Sequence, residues 1–285
     1  MRRIFLMTTG AIALVTMAGC TKNGDAEVQR AMQDLDVVNS TNLNDVMLTV
    51  GDPGEAVTYF NGALAREPER LDLQRGLATS LVRAGRAPEG AAAWQAVTTH
   101  PQAGPGDSVE LADALIRSNR WDEAAGILNT IPPTHETFER YKLEAMVADS
   151  KEQWTKSDSF YGTAVGLTTT PAGVMNNWGY SKLTRGDYSG AERLFTDSLR
   201  RDSANFTTKN NLVLARGAQR TYTLPVIPMN QTERAQLLYT MALTAIKQND
   251  VTIGKGLLRE AVDTHPQHFE EATRSLRALE DNVTN

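Results

Sequence analysis

A pairing of small and bulky residues that returns about every 34 positions constrains this chain more than any other feature. The small residues are Ala56, Gly90, Ala124, Ser157, Ala191 and Gly254, at intervals of 34, 34, 33, 34 and 63 residues. Four positions after each stands a bulkier one: Phe60, Trp94, Leu128, Tyr161, Phe195 and Leu258. Twelve positions before each lies a second small site, with Ala78, Ala112, Ala145, Gly179 and Ala242, and Asn44 as a weak first member. A step of four keeps both residues on one face of a helix. Small residues let two helices cross closely, and the bulky one fills the gap to the next pair. A unit this short cannot bury its apolar face alone, so neighbours must stack.

The period and its fixed points resemble the tetratricopeptide repeat, a helix–turn–helix of about 34 residues. Residues 172–205 carry the resemblance best, through Trp178-Gly179, Gly186-Asp187-Tyr188, Ala191, Phe195 and Ser198. The resemblance implies an all-α fold: a right-handed α-solenoid of about six to seven units with a C-terminal capping helix. Units are expected at 37–70, 71–104, 105–137, 138–171 and 172–205. Gly51, Gly85 and Gly186 fall between the helices of a unit, where a C-cap favours positive φ. Pro68 and Pro266 punctuate unit ends, with Pro101 and Pro171 close by. Trp121, Trp154 and Tyr188 open second helices and read as packing residues, not a ligand cage.

The pattern breaks once. Residues 206–220 look like the first helix of a sixth unit, but Pro225 and Pro228 prevent 221–230 from continuing as helix. That segment is either a linker left by erosion of one helix, or an apolar strip (Leu224, Val226, Ile227, Met229) that docks a partner or lies in the groove. The partial unit with its break is assigned to 206–234. A final unit follows at 235–268, and 267–282 is an amphipathic helix suited to cap the open end, completing the segment 235–285.

The first twenty residues, MRRIFLMTTGAIALVTMAGC, have a basic head and an apolar stretch too short and interrupted for a membrane span. Met17-Ala18-Gly19-Cys20 resembles a lipobox, which implies a signal peptide at 1–19 and lipidation of Cys20. Thr21, where sorting of this type would read aspartate as retention, implies an outer-membrane, periplasm-facing anchor. Residues 20–36 then form a tether with room for one helix. Cys20 is the single cysteine, which excludes an internal disulfide and a cysteine metal site.

No catalytic constellation is present, and no enzyme activity, cofactor or metal is expected. His265-Pro-Gln-His268 lacks a supporting carboxylate pair at helical spacing. Gly254-Lys255-Gly256 lacks the rest of a phosphate loop. Glu270 and Glu271 beside Arg274 and Arg277 read as a solvated face. The formal charge is −5 without a basic block, which argues against a nucleic-acid partner. What remains is a groove. On the family's inner positions the candidate partner-binding residues are Asn176, Asn177, Tyr180, Lys209, Asn210 and Asn211. An asparagine there can bond both the N–H and the C=O of an extended peptide; equally, Asn177 and Asn211 can simply brace neighbouring helices. The clamp that some repeats use for a terminal carboxylate is not reproduced.

Signal, lipobox and repeat array together resemble the pilus-assembly lipoproteins of the tight-adherence (Tad/Flp) system. The resemblance implies a periplasmic scaffold or pilotin, whose protein partner is a pilus secretin or another pilus-assembly component. The alternative is another cell-envelope repeat lipoprotein, such as an outer-membrane assembly factor or an activator of a peptidoglycan synthase.

Overall fold

Residues 43–281 are described by a computed structural model, and the fourteen helices found among them are joined without any strand. The lipobox and Cys20 lie outside the described residues, as does the tether. After α1 (43–49) and α2 (Pro53–Leu64), four helix pairs follow in register. They are α3 (Leu71–Arg83) with α4 (Ala87–Thr98), α5 (Pro105–Arg117) with α6 (Trp121–Thr130), α7 (Phe138–Ser150) with α8 (Trp154–Gly166), and α9 (Ala172–Thr184) with α10 (Tyr188–Arg201). Each helix packs mainly on the one before and the one after it, which makes the chain an α-solenoid.

The small-and-bulky pattern is the core of this stack. Ala56, Ala78, Ala112, Ala124, Ala145, Ala191 and Ala242 are completely buried, as are Phe60, Phe195 and Leu258. Two of the helix-interior glycines show why small residues are needed. A Cβ on Gly76 would stand 2.3 Å from the Phe60 ring, and one on Gly179 would stand 2.7 Å from that of Phe195. Asn44, the polar member of the small set, is buried as well. Its amide donates to Asp72 (3.3 Å) and its carbonyl accepts from the Tyr59 hydroxyl (2.8 Å).

Turns inside the units share one device. The second residue past the first helix turns left-handed, and the next N–H bonds back five residues, as Arg86 does to Leu81 and Asp187 to Lys182, both at 2.9 Å. Gly85 (φ 75°) and Gly186 (φ 85°) serve as expected, but Gly51 does not adopt positive φ. In the other units the same place is held by Asn119, Glu152, Arg220 and Asn249, with φ between 55° and 67°. The hydrogen bond of the turn outweighs the steric preference for glycine.

Beyond α10 stands α11 (Phe206–Ala218), whose closing turn is intact at Arg220. No second helix follows. Residues 221–230 run as an extended strap to α12 (Gln231–Lys247), and α13 (Val251–Thr264) and α14 (Glu270–Asp281) complete the stack. The last unit thus begins one turn earlier than residue 235, because Asn230 and Glu233 form a reciprocal cap at 2.9 Å. Within the strap Leu224, Ile227 and Met229 pack on the core and Val226 is fully exposed. The strap therefore covers part of the face that a second helix would have covered. It is moored by Arg216, which bonds the Thr223 carbonyl at 3.2 Å, and by Tyr222, whose hydroxyl donates to Asp250.

A candidate partner-binding groove

First helices of three consecutive units share a cavity of about 520 Å³. Helix α7 contributes Met146, Asp149 and Ser150 to its walls, and α9 contributes Asn176, Asn177, Tyr180, Ser181 and Thr184. From α11 come Thr207 and Asn211, while Trp121 of α6 and Tyr161 of α8 close the side. The register explains the row: Met146 and Tyr180, Ser150 and Thr184, and Asn177 and Asn211 are each 34 residues apart. One repeat therefore places each pair at equivalent positions on adjacent helices.

The six residues singled out in the sequence separate into two sets. Asn176, Asn177, Tyr180 and Asn211 lie on the cavity wall; Lys209 and Asn210 do not. Lys209 is only 3% exposed, and its ammonium donates to both oxygens of Glu233 on α12, at 3.0 and 3.1 Å. Burial of an unpaired ammonium is costly, so this pair is what allows Lys209 inside. Asn210 accepts from the Thr240 hydroxyl at 2.8 Å. Both residues tie α11 to α12, across the place where the sixth unit has no second helix.

On the wall itself, bracing and availability divide between the asparagines. Asn211 is buried, and its amide donates to the Asn176 carbonyl oxygen at 3.1 Å. The same oxygen accepts from Thr208, also at 3.1 Å, so Asn176 and Asn211 lock α9 to α11. Asn177 has no such duty. Its amide meets only the Met146 sulfur, at 3.9 Å, a weak acceptor. Tyr180 is 54% exposed at the rim.

Asp149 is the acidic group of the cavity. One carboxylate oxygen accepts from the Tyr161 hydroxyl (3.1 Å) and the other from the Ser181 hydroxyl (2.7 Å). Burial, reinforced by the Asp149 charge, pushes the Tyr161 hydroxyl well above the usual tyrosine range, so it stays a donor. Nearby, Asp158 accepts from the Trp178 indole at 2.6 Å, and both its oxygens accept from the Arg185 Nη2 at 2.6 and 2.7 Å. Burial opposes its ionisation, but the Trp178 and Arg185 hydrogen bonds win and hold its carboxyl below the ordinary range.

Sequence reasoning passed over Met146 and Asp149, and it read Tyr161 and Trp121 as packing residues only. Carrying Tyr180 back by 34 residues reaches Met146, so the repeat held that signal. Trp121 packs against the core as expected and also lines the cavity. Among the described residues no group of histidines, cysteines and carboxylates is arranged to hold a metal ion. His265 packs against Phe269 with ring centroids 4.9 Å apart and planes tilted by 36°, and His268 meets Glu270 at 2.8 Å.

The tetratricopeptide-repeat family model matches residues 48–108. No curated protein matches the chain as a sequence. Among solved structures, a tetratricopeptide-repeat protein from Parabacteroides merdae aligns with a TM-score of 0.55 at 12% identity, covering 84% of this chain and 96% of that one. The APC/C hetero-tetramer Cut9–Hcn1 aligns with a TM-score of 0.61 at 15% identity over 83% of this chain, which spans about half (48%) of the chain it matches. The human IFIT1 dimer, solved with PPP-AAAA, aligns with a TM-score of 0.54 at 13% identity, covering 80% of this chain and 59% of that one. At such identities the likeness concerns the fold. With a helix-pair period of 34 residues and a family match over residues 48–108, the chain has the fold of a tetratricopeptide-repeat α-solenoid.

Proposed function

We propose that this protein is a non-enzymatic scaffold, held by a lipid on Cys20 at the periplasmic face of the outer membrane, that grips a component of a Tad/Flp-type pilus. The observation that carries the scaffold reading is the groove. Its apolar floor and the unspent amide of Asn177 are what an extended polypeptide needs, because a peptide backbone must find both donors and acceptors when it leaves water. The anchor reading rests on the basic head, the short apolar stretch and Met-Ala-Gly-Cys before the tether. Several acyl chains, at about 0.8 kcal/mol per buried CH₂, hold a chain on a membrane as one does not. The pilus reading rests on the resemblance of the signal, lipobox and repeat array to the assembly lipoprotein TadD, and the partner it implies is the secretin or another assembly component.

One experiment addresses anchor and partner together. Cys20→Ser and Asn177→Ala variants are expressed in the native host, membranes are fractionated, and associated proteins are identified by mass spectrometry. Cys20→Ser is expected to leave the outer-membrane fraction. Asn177→Ala is expected to stay there and to capture less secretin or pilus component. An unmodified Cys20 in the wild type removes the anchor. Co-purification with outer-membrane assembly factors or a peptidoglycan synthase, without pilus components, moves the protein to those assemblies.

A further inference from the structure

The geometry points to the groove as a receptor for a lysine or arginine side chain, which Asp149 grips at the cavity floor. This deepens the reading of the cavity as a partner-binding groove and rests on it. Asp149 is the acidic group on the wall, and it makes no ion pair among the described residues. Its carboxylate is oriented by two hydroxyl donors, Tyr161 at 3.1 Å and Ser181 at 2.7 Å. Each oxygen keeps a free lone pair, since a carboxylate accepts about four hydrogen bonds.

None of the residues lining the cavity is cationic, and four cations on or beside α7 and α9 are engaged elsewhere. Lys151 meets Asp122 at 2.9 Å, Arg185 meets Asp158 at 2.6 Å, Lys182 meets Asp187 at 3.0 Å and Arg140 meets Glu144 at 2.8 Å. A positive group from outside is thus the complement that the cavity lacks. The remaining surroundings suit such a guest. Trp121 and Tyr180 supply aromatic surface, and aromatic rings attract ammonium and guanidinium groups. Met146 and the rings also match the apolar stem of a lysine or arginine. The charge is opposite to that of a groove built for a terminal carboxylate.

The test is calorimetric titration of the full chain in mild detergent with the pentapeptide amide Ac-Ala-Leu-Lys-Leu-Ala-NH₂. Three counterparts carry arginine, acetyl-lysine or glutamate at the central position. Lysine and arginine peptides are expected to bind at least ten-fold more tightly than the acetyl-lysine peptide, and the glutamate peptide more weakly still. Added salt should narrow the gap. In Asp149→Asn, which keeps the shape of the side chain, the lysine and acetyl-lysine peptides should become equivalent, with the helical circular dichroism unchanged. Tyr180→Leu, at the exposed rim, should weaken the lysine peptide more than the acetyl-lysine one. If all four peptides bind the wild type alike, or if the preference survives in Asp149→Asn, the cation receptor is overturned while the groove stands. If none binds, groove and receptor both fall.

Discussion

Ser157 occupies a small-residue site whose counterparts in the other units are alanine or glycine. It is completely buried on α8, and its hydroxyl has no partner. The neighbouring serines find one: Ser181 donates to Asp149 at 2.7 Å, and Ser198 to the Ala172 carbonyl at 2.8 Å. A buried, unsatisfied hydroxyl costs on the order of 1–3 kcal/mol. Ser157→Ala is therefore expected to stabilise the protein by about 1 kcal/mol, part of it from better helix propensity. The measurement is a urea titration beside wild type; a lower midpoint would mean that the hydroxyl has a partner after all. The turn residues show the opposite balance at the same scale. Glu152 and Arg220 accept left-handed φ near 55° and 59° because the turn closes a hydrogen bond that the helix end would otherwise lack.

Within a helix pair, the fit of one ring against one backbone sets the crossing. Gly179 on α9 faces Phe195 on α10, and that ring is completely buried with nowhere to retreat. Gly126, inside α6, has open space where a Cβ would stand. The same substitution should therefore have opposite signs at the two sites. Gly126→Ala is expected to gain up to about 1 kcal/mol from helix propensity. Gly179→Ala gains the same but overpacks the crossing, for a net loss of about 1–2 kcal/mol. Paired thermal melts read both, and two shifts of the same sign would mean that the ring yields. Element α11 illustrates what replaces a missing partner helix. Asn211 and Thr208 fasten it to α9, Lys209 and Asn210 fasten it to α12, and the strap covers part of its other side.

Across the whole molecule, ion pairs join one unit to the next, and several involve depressed carboxyls. The Asp107 carboxylate is buried, which opposes ionisation, but both its oxygens accept from Arg75 of the preceding unit at 2.7 Å. The Gly104 N–H adds a further bond at 2.8 Å, and the net effect holds Asp107 below the usual range. Glu233 is lowered by the Asn230 N–H and then by Lys209, and Asp158 by Trp178 and Arg185 against its burial. A carboxyl depressed in the folded state adds stability above its unfolded pKa, near 4, and loses it as pH falls through the folded value. The melting temperature should hold between pH 7 and 5 and decline below about pH 4. Asp158→Asn should make that decline shallower. A profile equally steep in the variant would show that Asp158 contributes nothing to it. In a stack whose units touch only their neighbours, such loss at one junction divides the array there.

The helix pairs and the small-and-bulky core were legible in the residues, because a 34-residue period forces the same contacts in every unit. Ala191 against Phe195 needs nothing from distant parts of the chain. The groove was legible in part. Asn176, Asn177, Tyr180 and Asn211 reach the wall through repeat register alone, whereas Lys209 and Asn210 turn away because α12, reached through the strap, offers them Glu233 and Thr240. Asp149 became visible only when Tyr161 and Ser181 converged on it from two other helices. Local spacing decides which face of a helix is apolar; only the stacking of helices decides which polar side chains meet each other and which are left facing the cavity.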